Sequence, residues 1–129
     1  MSYHFNTQIE SDMTTAEEKV REALKAEGFG VLTEIDVKAT FKKKIDKDIY
    51  PYKILGTCNP GFAFQAIDIE PEIGVMLPCN IILTEKKAGT IDIYAIDPVA
   101  SMIAVPSEEL MEIAKQVQKK LQSVISNLN

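Results

Sequence analysis

The sequence is short of the residues that most often carry a reaction. It holds one histidine and two cysteines in 129 residues. A serine or cysteine triad would have to run through His4, which falls on the polar side of an N-terminal strand and reads as a solvated strand residue, so triad hydrolysis is a poor fit. Cys58 and Cys79 occupy separate segments and lack a Cys-x-x-Cys spacing, which argues against a zinc ribbon, a thioredoxin-type site or a complete metal cage from this chain. No glycine-rich phosphate fingerprint joins a strand to a helix and no Walker loop occurs, which disfavours a doubly wound nucleotide fold. No apolar run reaches about eighteen residues, and Met1 to Glu10 carry neither the cationic leader nor the apolar core of a secretory signal. The expectation is a cytoplasmic protein with reduced thiols and no membrane partner.

Positive charge is in deficit as well. Fourteen Lys and Arg against nineteen Asp and Glu give a formal net charge of −5, which excludes a sequence-independent grip on nucleic acid built from many cation–phosphate contacts. One basic cluster exists: Lys38, Lys42, Lys43, Lys44 and Lys47. Phe41 and Ile45 stand four apart within it, so it reads as a short helix with a solvated cationic face, an anion-binding patch being the alternative. General acid/base chemistry has no clear pair, because Asp68 and Glu70 alternate with Ile67 and Ile69 and read as solvent-facing.

What is present suits an ordinary globule. The chain is 46% hydrophobic and 26% charged, enough to build one core, and a single domain over residues 1–129 is expected. Tyr3, Phe5, Thr7 and Ile9 alternate with polar neighbours, the period of a half-buried strand. Thr14 and Glu17 have the spacing of a capping box, and Ala16, Val20, Ala23 and Leu24 then predict a helix over residues 14–27, stopped by Gly28. Val31, Thr33, Ile35 and Val37 predict a second strand with one common face. The lysine-rich helix follows, then a loop over residues 48–51 and a third strand over residues 52–57.

From Pro60 onward Phe62, Ala63, Phe64, Ala66 and Ile67 are apolar almost all round, which predicts a buried helix closed by Pro71 and Gly74. Residues 75–84 read as an apolar strand, and Pro78 inside it predicts an edge position or a bulge. A turn over residues 86–89 and a strand over residues 90–96 complete a hairpin. Pro106 is placed as a first-turn proline, and Leu110, Ile113, Ala114, Val117, Leu121, Val124, Ile125 and Leu128 then form a long apolar stripe. The order β-α-β-(α)-β-α-β-β-α predicts a two-layer α+β domain, with a mainly antiparallel sheet of about five strands packed against helices.

Chemistry concentrates at two places. In Cys58-Asn59-Pro60-Gly61, Asn59 is a good N-cap and Pro60 a good first helical residue, so Cys58 is expected just before a helix N-terminus, where a thiolate is favoured. In Leu77-Pro78-Cys79-Asn80, the cysteine follows a proline that breaks a strand ladder. Capping chemistry and core filling explain both cysteines equally well. Two thiolates with Met76 or Met102 would suit a soft ion such as Cu(I), although five methionines are also adequate as core filler.

The stretch Tyr52 to Pro60, with Leu77-Pro78-Cys79-Asn80 and Asp97-Pro98 followed by Met102, resembles the domain of unknown function family 302 over nearly the whole chain. The resemblance implies a small bacterial or archaeal α+β domain that tends to dimerise, with no established activity and no specified cofactor. Three readings follow. The first is a small-molecule or ion-binding module with a pocket between Cys58 and Cys79 and polar contacts from Asn59, Asn80 and Asp97. The second is thiol redox or soft-metal handling with Cys58 as nucleophile and Cys79 as its partner. The third is a structural or interaction protein without a catalytic site.

Overall fold

The computed structural model describes residues 2–129. Five strands form one sheet: β1 (His4–Glu10), β2 (Gly30–Asp36), β3 (Tyr52–Cys58), β4 (Cys79–Lys87) and β5 (Thr90–Ile96). Their spatial order is β1-β5-β4-β3-β2, and every pairing is antiparallel. The helices are α1 (Met13–Ala26), α2 (Val37–Ile45), α3 (Pro60–Ile69), α4 (Pro98–Ser101) and α5 (Glu108–Ser126), with a 3-10 helix over Pro71–Met76 between α3 and β4. This is the expected two-layer α+β architecture.

Hydrophobic alternation explains the layers. Leu55 pairs with Ile81 and Leu83 with Ile93, and all four are fully buried on one face. The stripe of α5 and the Ala16, Val20, Leu24 face of α1 close over them, so Leu121 and Val124 join the same core. By the roughly 25 cal/mol per Å² of apolar area removed from water, this layer-on-layer contact is the main term holding the fold. A second, smaller cluster of Ala66, Ile73, Met102, Leu110 and Ala114 packs where α3 and α4 meet the first half of α5.

Local chemistry sets the ends of the elements. Asp12 caps α1, its carboxylate accepting from Thr15 N at 2.8 Å. The expected Thr14–Glu17 box does not form, because Glu17 is drawn to Lys53 and Arg21. Gly28, with φ +87°, ends α1 in a left-handed turn in which Phe29 N donates to Leu24 O at 2.9 Å. In α5 the cap is Ser107, which accepts from Leu110 N, and Pro106 stands one residue before it rather than in the first turn. Asp36 caps α2, so Val37 is helical and not part of β2.

Three further expectations change. Val31 pairs with Thr57 but Thr33 pairs with Gly56, so an extra residue bulges between them and the two side chains do not share a face. Pro78 lies neither at a sheet edge nor inside a strand; residues 71–76 turn as a 3-10 helix, β4 starts at Cys79, and β4 is then the central strand. A strand that begins after the proline needs no N–H from it, which removes the conflict. Finally, α3 is not enclosed: Phe64 is 71% exposed and Ile67 44%, while Ala66 is the buried residue of that helix. The lysine-rich α2 buries none of its side chains, Phe41 and Ile45 included; Lys42 pairs with Asp46 at 2.8 Å and Lys38 Nζ donates to Ile49 O at 2.7 Å.

Candidate functional site

The loops after β3 and before β4 meet at one end of the sheet, because Thr57 and Cys79 are cross-strand partners. Thr57, 1% exposed, fixes the junction by donating its hydroxyl to Cys79 O at 2.9 Å. Cys58 and Cys79 are both free, half-buried thiols that line the same cavity. That cavity has a volume of about 360 Å³ and lies between this end of the sheet and the inward sides of α3 and α5. Phe29, Phe62, Met102 and Leu110 give it apolar walls, and no charged side chain lines it. Its size falls in the range of small-molecule pockets, roughly 300–1,000 Å³.

The space exists because small residues face one another. Ala63 and Ala66 come from α3 and Ala114 from α5, where larger side chains would meet. Asn59 does not cap α3 with its side chain; its Nδ2 donates to Glu27 O at 3.2 Å and ties the start of α3 to the end of α1. Pro60 is in the first turn of α3, as its fixed φ allows. Burial pushes the Cys79 thiol up to about 11, with the nearby Cys58 adding to the shift, so Cys79 is neutral near pH 7.

The remaining predicted contacts lie elsewhere. Asn80 projects to the opposite face of the sheet and lines the cavity there, and it shares a smaller one of about 260 Å³ with Cys79 at the sheet's end. Asp97 caps α4, its Oδ1 accepting from Val99 N at 3.0 Å and from Gln118 Nε2 at 3.0 Å, so it joins α4 to α5. The structure thus brings Cys58, Asn59 and Cys79 together on the larger cavity, which Asn80 and Asp97 do not line. Met102 lines the larger cavity and Met76 does not, while both line the smaller one beside Cys79. Among the described residues, no group of three or more His, Cys, Asp or Glu is placed to hold one metal ion, and no helix is long and apolar enough to cross a membrane.

His4 is half-buried instead of solvated, standing edge-on to Tyr3 and Tyr94 at ring-centroid distances of 5.0 and 5.3 Å. Sequence reasoning missed the wall residues Phe29, Ala63, Leu110 and Ala114 as site residues. On their own elements they read as core or turn. The one signal was the frequency of alanine at inward positions of α3 and α5.

Known proteins place the chain in a family without assigning it an activity. The crystal structure of an uncharacterized conserved protein DUF302 from Bacillus stearothermophilus is 27% identical to this chain, with 100% of both chains covered and a TM-score of 0.91. No curated protein matches. The sequence profile of the domain of unknown function DUF302 matches residues 5–128, and the chain belongs to that family.

Proposed function

We propose that the protein is a binding module for a small, uncharged, largely apolar molecule held in the cavity beside Cys58 and Cys79. The observation that carries this reading is the cavity's wall: about 360 Å³ of space is bounded by aromatic, aliphatic and thiol groups with no charged side chain. An apolar ligand loses little by leaving water for such a site, whereas an ion would give up its hydration without compensation. Cys58, Thr33 and Asn59 supply the few polar atoms that orient a ligand.

A second reading, thiol or soft-metal chemistry, is favoured by the placement of Cys58, Cys79 and Met102 on one cavity. Against it, a Cys79 thiol raised to about 11 is a weak nucleophile and ligand near neutrality, since both roles need the thiolate. Decanol serves as the test probe. It should give saturable methyl NMR shifts at Ile67 and Ile113, which line the cavity, and raise Tm; at one hundred times Kd the stabilisation is about 2.7 kcal/mol. Ala66→Leu should abolish the shifts, while Cys58→Ser with Cys79→Ala should keep them. Uptake of Cu(I) that is lost in the cysteine variant but kept in Ala66→Leu would place the second reading first.

A further inference from the structure

The sheet face turned away from α1 and α5 holds a second cavity, of about 350 Å³, lined by none of the residues of the first. All four tyrosines of the chain line it, Tyr3, Tyr50, Tyr52 and Tyr94, together with His4 and Lys86. They converge from the start of the chain, the approach to β3, and β3, β4 and β5. The Tyr50 and Tyr52 rings stand 6.3 Å apart and tilted by 35°. Lys86 Nζ lies 5.9 Å from the Tyr94 ring centroid.

Two observations point to a ligand. Thr84, cross-strand from Tyr52, also lines this cavity and is 1% exposed, yet its Oγ1 has no hydrogen-bond partner among the described residues. Buried hydroxyls are nearly always paired, because an unpaired one forfeits its hydration with nothing in return. Charge is the second. Lys86 forms no salt bridge among the described residues, and the acidic group of β5 on this face, Asp92, is engaged by Gln8 Nε2 at 2.8 Å. An exposed ammonium thus stands beside aromatic rings, with the Tyr94 hydroxyl and Asp92 as its neighbours, on a protein whose net charge is −5. Aromatic rings favour flat π systems, and a cation beside them favours an acid group on them.

We propose that this cavity binds a flat aromatic anion, its ring among Tyr50, Tyr52 and Tyr94, its acid group on Lys86, and a polar atom within reach of the Thr84 hydroxyl. The site is separate from the apolar cavity on the helix-covered side. β-Naphthoate tests it, with uncharged β-naphthamide as the matched control, both followed by methyl NMR of the full chain. β-Naphthoate should give saturable shifts at Ile82, Ile96 and Thr84, which line this cavity, and none at Ile67 and Ile113, which line the other. It should bind about tenfold more tightly than the amide, the equivalent of one good charge contact. Lys86→Gln should remove that preference, and Tyr94→Leu should weaken both probes. Equal affinity for the two probes, or shifts confined to Ile67 and Ile113, would overturn the proposal. So would broadening of the Ile82 and Thr84 signals when the free protein is concentrated, which would assign the face to a second copy of the chain.

Discussion

Single residues decide how tightly the two sheet faces are finished. At Gly56 a Cβ would lie 2.1 Å from Thr33 Oγ1 and 2.8 Å from Pro78 Cγ. The threonine hydroxyl can turn away, but the proline ring is closed on its own backbone and can move only with it. Gly56→Ala is therefore expected to lower stability by about 1–3 kcal/mol, the usual cost of forcing a side chain into packed space. Adding Thr33→Ala should recover only part of the lost Tm, and full recovery would show that Pro78 does not contribute. Thr84→Val addresses the opposite case: it removes a buried hydroxyl that lacks a partner while keeping the shape, so it should stabilise the free protein by about 1 kcal/mol in urea unfolding. Cys79 offers a chemical readout. With its thiol raised to about 11, alkylation of Cys79 in the native chain should still be climbing above about pH 10, where a free cysteine has levelled off; mass-resolved labelling would reveal an early plateau if the burial argument is wrong.

Ion pairing and caps join the elements. Lys53 of β3 bridges Glu17 of α1 and Glu34 of β2, and Arg21 of α1 contacts the same two carboxylates at 2.9 and 3.1 Å. Burial works to raise the Glu17 carboxyl, but the hydrogen bonds from Lys53 and Arg21 outweigh it and hold it below its ordinary 4.5. The hydrogen bonds from Glu17 and Glu34 hold Lys53 above 10.5. A depressed carboxyl stabilises the fold above its unfolded-state value and loses that contribution as pH falls through the folded one; a raised ammonium contributes below 10.5 and loses it as pH rises beyond. Lys53→Met is thus expected to lower stability at pH 7 by about 1–3 kcal/mol, because Glu17 is left partly buried with less compensation. The difference from the parent protein should shrink on acidification below 4.5, and a gap that stayed constant to pH 3 would contradict the assignment. Asn59→Ala should cost about 1 kcal/mol by freeing the start of α3 from Glu27 O.

Element-level features were legible wherever local pattern and tertiary demand agreed. Ile91, Ile93 and Ala95 alternate in β5 and are fully buried. The α5 stripe from Leu110 to Ile125 is buried where its spacing places it, and Leu128 just past the helix is buried with it. Gly28 ends α1 because only a residue tolerant of positive φ fits there. Agreement failed where a choice depended on something distant. Glu17 has capping-box spacing, yet two cations from the fold compete for it, and Asp12 takes the cap. The apolar circumference of α3 suggested enclosure, but only the Ala66 side has anything to pack against. Pro78 was legible as an irregularity; that β4 would begin after it and run down the middle of the sheet was not.

At the scale of the whole molecule, the crossover from β1 to β2 spans the sheet, since these strands form its two edges. That path lays α1 across the sheet beside α5, and the two helices cover one face. The alternating strands then turn their other side chains to the opposite face, so one architecture makes an unlike cavity on each face. The first is apolar and roofed by α3 and α5; the second is aromatic and carries a cation. Their independence is itself open to measurement. Ala66→Leu, which fills the first, should leave β-naphthoate binding at the second unchanged within error, and a loss at both would mean the substitution had disturbed the sheet between them.

By itself the sequence determined the α+β class, the hairpin of β4 and β5 and the apolar stripe of α5, because periodicity and turn chemistry are local properties of neighbouring residues. Only the tertiary structure decided which residues share a space. Cys58 and Cys79 meet because β3 and β4 pair with Thr57 opposite Cys79, while Asn80, one residue further on, is carried to the other face by the strand's period of two. Four tyrosines scattered from position 3 to position 94 gather in a related way: Tyr52 and Tyr94 stand in β3 and β5, and Tyr3 and Tyr50 lead into β1 and β3, so strand register, a relation between segments far apart in the chain, sets what stands beside what.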